Sequence, residues 1–165
     1  MNHAKAFASL LAVGALGTVG LADAAPKASS AAIAAYNQDV AAAFVPGYWE
    51  GNFDSFDGDG QLLKSSDSPS CIRADDKASV AGEMRNLTEM MDQTSDCTIT
   101  ESRPGTLNLT MTCKGGNGFG ATFSSKGSYV PGKSVELSVT FETFGDANPV
   151  KTSFRTTGTR VRPAC

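Results

Sequence analysis

Histidine is almost absent from this chain. Its 165 residues include one histidine, His3, which lies in an amino-terminal segment with the composition of an export signal. Imidazole changes charge near neutral pH and is the commonest metal ligand in proteins. A mature chain without it cannot form Ser-His or Cys-His nucleophile pairs or histidine-based zinc sites. We therefore expect a protein that is not an enzyme, with no catalytic residue, no cofactor and no metal.

Long runs of one charge sign are also missing. The 14 basic and 17 acidic residues are mixed along the chain and give a net charge of −3. Nucleic-acid-binding domains usually carry a clustered basic face, so nucleic acid is not an expected partner. After residue 24, no segment is long and apolar enough to cross a bilayer, which takes roughly 20 apolar residues. We expect no transmembrane segment after removal of the leader.

The leader, residues 1–24, has the three parts of a cleaved signal peptide in the usual order. Lys5 gives a positive start, residues 6–21 are uncharged and mainly apolar, and Ala22-Asp23-Ala24 supplies small residues at the cleavage positions. Its removal leaves 141 of the 165 residues, a normal size for one domain. The sequence predicts a periplasmic or secreted protein.

Cysteine is scarce, and its spacing excludes two common uses. None of the four cysteines forms a C-x-x-C pair, so neither a redox motif nor a zinc ribbon is indicated. In an exported chain four cysteines are most simply two disulfides, with three possible connectivities. Cys97 and Cys113 flank an apparent hairpin with its turn at Pro104-Gly105, and a three-residue loop would place them opposite one another. This favours Cys97 with Cys113, and elimination then leaves Cys71 with Cys165.

The alanine-rich lead-in, residues 25–45, precedes a single disulfide-bearing β domain at 46–165. In the lead-in, Ile33, Tyr36, Val40 and Phe44 recur near helical spacing, which predicts a short amphipathic helix. A flexible segment is the alternative. A second helical stretch, near 75–92, is predicted by the spacing of Val80, Met84 and Leu87.

Alternation of apolar and polar residues dominates the rest of the chain. Residues 107–113 and 135–142 alternate strictly, as strands with one wet and one dry face do. Further alternating or strand-like segments complete the set. One begins at Tyr48, and the others cover 61–66, 97–102, 120–130 and 150–161. The predicted fold is mainly β, an antiparallel meander forming a small barrel, half-barrel or sandwich, with a short N-terminal helix and a helical connection near 75–92.

One motif matches a nucleotide-binding pattern by chance. Residues 127–134, GSYVPGKS, satisfy the phosphate-loop pattern, in which backbone N–H groups cradle phosphates where a helix begins. Here the next residues alternate as a strand, and Pro131 removes one N–H donor from the loop. We interpret the segment as a Pro-Gly hairpin.

Acidic residues form two groups with competing interpretations. Asp54, Asp57 and Asp59 surround strong turn residues and predict a hairpin, although their oxygens could also bind calcium weakly. Four glutamates lie on predicted strands, and a pair of them could support hydrolysis, but solvated side chains are the favoured interpretation. These four are Glu50, Glu101, Glu136 and Glu142.

Several short segments, taken in order, resemble one family. They are PGYWE at 46–50, Cys71, DCTIT at 96–100, LTMTCKG at 109–115 and GTRVRPAC at 158–165. Together they resemble the bacterial exported family called domain of unknown function 3617, and the similarity covers about 120 residues. The resemblance implies a periplasmic or secreted β-rich domain from which no catalytic residue can be carried over. In that setting Trp49 is expected to be a structural anchor that fills one end of a core.

Three functions follow as hypotheses. The preferred one is a non-enzymatic envelope domain that binds a small apolar or amphipathic ligand in the mouth of a barrel or half-barrel. The alternative is a protein–protein interaction or inhibitor domain of the cell envelope, and the second alternative is a carboxylate-based envelope hydrolase. The partner would accordingly be a small apolar ligand or an envelope protein.

Overall fold

The structure, a computed structural model, describes residues 28–67, 69–73, 80–94, 96–115, 118–145 and 147–165. The predicted signal peptide lies outside these residues. Two helices and eight strands are named here in chain order: α1 (Ala28–Ala43), β1 (Gly47–Phe56), β2 (Leu62–Asp67), β3 (Ser70–Ile72), α2 (Val80–Thr94), β4 (Asp96–Arg103), β5 (Asn108–Lys114), β6 (Gly120–Val130), β7 (Ser134–Phe144) and β8 (Lys151–Arg162).

All eight strands belong to one antiparallel sheet. Its order is β2-β1-β8-β7-β6-β5-β4, with β3 also paired to β1. Strands β4 to β8 follow one another as a meander, and β1 joins this meander beside β8. The predicted mainly β antiparallel fold is confirmed. The sheet is not closed, so a half-barrel is the predicted arrangement that it matches.

The hairpin of β4 and β5 differs in detail from its prediction. Its loop, between Arg103 and Asn108, has four residues rather than three, and a bulge at Thr100 shifts the register of β4. The extra loop residue shifts the pairing by one position towards β5, and the bulge in β4 shifts it back by one. Cys97 and Cys113 therefore still face each other and form a disulfide, as the preferred pairing expects.

β2 and β3 run along the same edge of β1 in one register. Asn52 is paired with Asp67 and Trp49 with Ser70, so the pairing resumes unchanged after the gap between the two strands. The sequence analysis missed β3 because three residues are too few to show alternation. The disulfide between Cys71 and Cys165 joins this short strand to the chain beyond β8.

α1 packs against the apolar face of the sheet, named here the helix-covered face. Alanine favours helix formation, and the predicted apolar side chains Ile33, Tyr36, Val40 and Phe44 are buried. The predicted N-terminal helix is confirmed. The Tyr36 ring meets the Phe123 ring of β6 edge-on, with 6.1 Å between the ring centroids.

α2 packs beside α1 and completes the core. Met84 and Met91 are buried. Thr88 lies between them in the sequence of α2, and its hydroxyl is 3.0 Å from the Met84 carbonyl oxygen and 3.2 Å from Asn37 Oδ1, two acceptors that share its one proton. Burial of Thr88 could not be predicted from the sequence, because the hydrogen bonding of its hydroxyl is visible only in the folded protein. The predicted helical connection near 75–92 is confirmed within 80–94.

The opposite face of the sheet, named here the outer face, is polar. Cross-strand pairs of hydroxyl groups link β5 to β6, Thr110 with Ser124 at 3.2 Å and Thr112 with Thr122 at 3.1 Å. The strict alternation of the strands thus separates one dry face from one wet face. Neither described helix is long and apolar enough to cross a membrane.

Candidate functional site

The centre of the helix-covered face is filled by the protein itself. Phe123, Leu109, Met111 and Leu137 are fully buried, and Tyr36 of α1 lies among them. A native core of this kind leaves few voids larger than a water molecule. A ligand site is therefore to be sought at the ends of the packed layer rather than at its middle.

One such site is a crevice of about 170 Å³, named here the helix–strand crevice. It lies where the end of α1, the beginning of α2 and the end of β3 meet. The crevice is lined by Asn37, Val40, Ala41, Phe44, Pro46, Ile72, Arg73, Ala81, Gly82 and Arg85. Six of its ten lining residues are apolar side chains, whereas Asn37, Arg73 and Arg85 help to make about half of its surface polar. Such a mixed lining suits a small amphipathic molecule.

Two arginines give the crevice its electrostatic character. Arg73 follows β3 and Arg85 lies on α2, and both are exposed. Neither guanidinium has a hydrogen bond or ion pair within the described part of the chain. Among the described lining residues there is no carboxylate, so this part of the crevice is cationic within a chain of net charge −3.

Asn37 supplies a polar group in the wall formed by α1. Its side-chain oxygen accepts a hydrogen bond from Thr88 at 3.2 Å, which leaves the amide NH₂ as a donor. The crevice thus offers donors at its polar positions and apolar surface elsewhere.

Trp49 fixes the chain beneath the crevice. Its ring is buried, its Nε1–H donates to the Val45 carbonyl at 3.0 Å, and its centroid lies 6.3 Å from that of Phe44. Trp49 is therefore a buried residue held by one hydrogen bond and one ring contact. These contacts position Phe44 and Pro46 in the lining.

The other wall depends on a disulfide. β3 has only three residues and pairs with β1 along one side, so its own hydrogen bonds hold it weakly. The Cys71–Cys165 disulfide lies within this strand, and the Cys165 sulfur is 3.9 Å from the Ile72 carbonyl oxygen. Cys71 and Cys165 therefore support this wall of the crevice.

A second concavity is a groove of about 550 Å³ on the outer face, named here the outer groove. Glu50 and Glu136 both line it, together with hydroxyl groups of Ser128, Ser134, Thr157 and Thr159. The other two strand glutamates are engaged elsewhere, Glu101 with Arg103 and Glu142 with Lys151. Two carboxylates in one groove are the minimum that a glycoside hydrolase needs. The hydrolase stays a hypothesis, to be tested by loss of glycan cleavage in Glu50→Gln.

The acidic turn is organised by its own carboxylates. Asp57 accepts hydrogen bonds from the backbone N–H groups of Asp59 at 3.0 Å and Gln61 at 2.8 Å, as turn-forming aspartates do. Asp54 accepts a hydrogen bond from the Ser65 hydroxyl at 2.6 Å. The structure thus shows a hairpin turn at this position. Among the described residues, no three Asp, Glu, His or Cys side chains are grouped to hold a metal.

The phosphate-loop pattern falls on the hairpin of β6 and β7. Lys133 N–H donates to the Val130 carbonyl at 2.9 Å, and Gly132 has φ +62°. A strand rather than a helix follows the turn, so the backbone geometry that would cradle phosphates is missing here.

No pattern in the sequence predicts the helix–strand crevice. Arg73 and Arg85 are twelve positions apart, and no functional role was predicted for either. Only the packing of α2 against α1 beside β3 brings them to one opening, and such packing between separate elements leaves no local pattern.

Comparisons with known proteins agree with the resemblance. A search of curated proteins and a search of solved structures give no match. A family model described as "Protein of unknown function (DUF3617)" matches residues 44–165, which include every strand and α2. The chain therefore belongs to the DUF3617 family.

Proposed function

We propose that this protein is an exported, non-enzymatic domain that binds a small apolar or amphipathic molecule in the helix–strand crevice. The observation that carries the proposal is the lining of this 170 Å³ opening at the end of a packed core, which combines apolar side chains with a few polar groups. An apolar protein cavity of about 150 Å³ holds one benzene molecule. The ligand body would accordingly be about the size of a single ring or a six-carbon chain.

Two features support export. The leader has the composition of a cleaved signal, and all four cysteines are paired. Stable disulfides are typical of oxidising compartments outside the cytosol. A non-enzymatic role is supported by the near absence of histidine, since the single one lies within the leader.

Native mass spectrometry of protein purified from the periplasm of an expression host tests the proposal. Wild-type protein should retain a small bound molecule. Ala41→Leu should lose it, because the larger side chain on α1 fills the crevice while leucine keeps a high helix propensity. The matched control is Ala31→Leu, at an exposed position of α1 outside the crevice. Equal ligand retention in both variants would refute the proposed site.

A protein–protein interaction domain is the second candidate, favoured by the edge strand β2. Leu62 and Leu63 are 56% and 66% exposed, and β2 pairs with β1 along only one edge in the described sheet. Unprotected edges can pair with strands of other proteins. Leu63→Lys should abolish capture of a specific envelope protein. Failure to recover the same protein repeatedly with the wild type would count against this function.

A further inference from the structure

We infer that the helix–strand crevice selects an anionic amphiphile, whose head group is held by Arg73 and Arg85 while its apolar body lies against Phe44 and Ile72. This inference rests on the proposed function and adds the charge and the polar contacts of the ligand. The ligand class is a carboxylate or phosphate group attached to a short apolar body.

The charge distribution is the first argument. Two guanidinium groups line the crevice, and in the part of the chain that the structure describes the lining has no carboxylate and neither guanidinium has a partner. The outer groove has the opposite character, with Glu50 and Glu136 and no basic residue in its lining. The two concavities therefore favour ligands of opposite charge, and only the crevice attracts an anion.

The chemistry of arginine is the second argument. A guanidinium is planar, stays charged at every physiological pH and donates paired hydrogen bonds that match carboxylate and phosphate oxygens. Asn37 adds an amide donor on the opposite wall. Donors without acceptors at the polar positions suit a head group that only accepts hydrogen bonds.

The size of the crevice limits the occupant. About 170 Å³ is smaller than the 300–1,000 Å³ typical of pockets for drug-sized molecules. A short chain or one ring fits, whereas a folded partner or a long lipid tail would lie mostly outside. The occupant of the crevice is therefore a small molecule.

A matched series of six-carbon probes tests the inference. Hexanoate and hexyl phosphate carry the two anionic head groups, hexanol is neutral and hexylamine is cationic. Backbone amide shifts of the oxidised, signal-free protein, followed by NMR during titration, give the affinity of each probe and show whether Ala41 and Ile72 respond. At least one anionic probe should bind about tenfold more tightly than hexanol, since two exposed charged contacts contribute about threefold each.

Substitutions separate the head-group contacts from the apolar site. Arg73→Gln and Arg85→Gln should each weaken binding of the anionic probe about threefold, because the two exposed arginines share the preference over hexanol, and should leave hexanol binding unchanged. Arg73→Lys keeps the charge without the paired donors, so its affinity for the anionic probe should fall between those of the wild type and Arg73→Gln. Arg155→Gln is the control, because it removes the same charge from an exposed position on the outer face of β8.

The outcomes distinguish this inference from the proposed function. Hexanol binding as tightly as both anions, or both glutamine variants binding like the wild type, would overturn the anionic selectivity but leave an apolar site in place. Anion binding that is unchanged in Ala41→Leu would place the probe elsewhere and overturn both. The amide spectra themselves report whether each variant is folded.

Discussion

Ser125 lies at an apolar position of the helix-covered face, yet it is polar and fully buried. Its hydroxyl accepts a hydrogen bond from the Tyr36 hydroxyl at 2.8 Å and donates to the Leu107 carbonyl at 2.7 Å. One small side chain thus satisfies groups from α1 and from the loop between β4 and β5. Burial raises the pKa of the Tyr36 hydroxyl well above its ordinary value, in part offset by the bond to Ser125, so this group stays protonated.

We expect Ser125→Ala to lower the free energy of unfolding by about 3 kcal/mol and Tyr36→Phe by about 1 kcal/mol, because only the first leaves two buried polar groups without partners. The double variant should cost less than the sum of the two, since it removes one of those orphaned groups. Urea unfolding measures all three. Ser124→Ala, on the outer face, is the control and should change stability by less than about 0.5 kcal/mol. Equal costs at Ser125 and Tyr36 would contradict the arrangement.

Asp39 joins α1 to two parts of the sheet. Its carboxylate accepts hydrogen bonds from the Tyr129 hydroxyl at 2.7 Å and from the Gly105 N–H at 2.9 Å. The hydrogen bond to Asp39, with smaller contributions from burial and from the negative charge, raises the pKa of Tyr129 from 10.0 to about 12. The folded protein therefore holds the phenol proton more tightly than the unfolded chain does.

This pKa shift predicts a defined loss of stability in alkaline solution. The stabilisation from the protonated Tyr129 is complete below pH 10 and is lost as the pH rises towards 12. The difference in unfolding free energy between wild type and Tyr129→Phe should be constant from neutral pH to about pH 9 and shrink above pH 10. A difference that persists unchanged to pH 12 would show that the hydroxyl is not held by Asp39.

At the scale of elements, β1 and β8 approach so closely that a side chain is excluded between them. A Cβ atom added to Gly51 would lie 1.9 Å from the Thr157 carbonyl oxygen and 2.7 Å from the Gly158 Cα. Both atoms are backbone, so neither can move without separating the strands.

Gly51→Ala should therefore destabilise the protein by at least about 3 kcal/mol, at the upper end of the usual cost of overpacking. Gly58→Ala is the matched control, because its added Cβ would have no neighbour closer than 3.5 Å. Thermal unfolding of the two variants measures the contrast. A stable Gly51→Ala protein would mean that β1 and β8 pair less closely than the structure shows.

Most of these elements could be predicted because their cause is local. Alternation identified seven strands, and helical spacing located α1 and α2. β3 could not be predicted, since its pairing with β1 and its disulfide come from distant parts of the chain. The four-residue loop and the bulge at Thr100 were also missed, because their effects on register cancel at Cys97 and Cys113.

At the scale of the whole molecule, the two disulfides constrain the unfolded chain unequally. Cys97–Cys113 spans 16 positions and Cys71–Cys165 spans 94. In the chain-entropy model a 15-residue loop contributes about 3 kcal/mol and a 100-residue loop about 4.7 kcal/mol. The longer loop should therefore matter more for global stability.

Replacing Cys71 and Cys165 by alanine should cost about 1.5 kcal/mol more than replacing Cys97 and Cys113. Each variant should remain folded, because a typical domain has 5–15 kcal/mol of stability. Guanidinium unfolding gives the costs, and Trp49 fluorescence reports the core. Only the first variant should also lose probe binding, since it frees β3 from the crevice. The opposite order of stabilities would contradict the chain-entropy argument.

The helix–strand crevice forms only where α1, α2 and β3 meet, so it could not be predicted from any one segment of the sequence. From the sequence we expected a ligand in the mouth of a barrel or half-barrel, whereas the crevice lies between the two helices and the end of β3. No role was predicted for Arg73 or Arg85, because charge complementarity emerges only when separate elements are assembled.

The helix α1 ends at Ala43, whereas the family match begins at residue 44. A recombinant fragment trimmed to the matched limits would expose the Phe123 and Leu109 side chains to water and leave Ser125 without the Tyr36 hydroxyl. The segment that matches the family model is thus shorter than the segment that folds as a unit. Expressed fragments should therefore begin before residue 28. Otherwise insolubility caused by the removal of α1 would be mistaken for a property of the family.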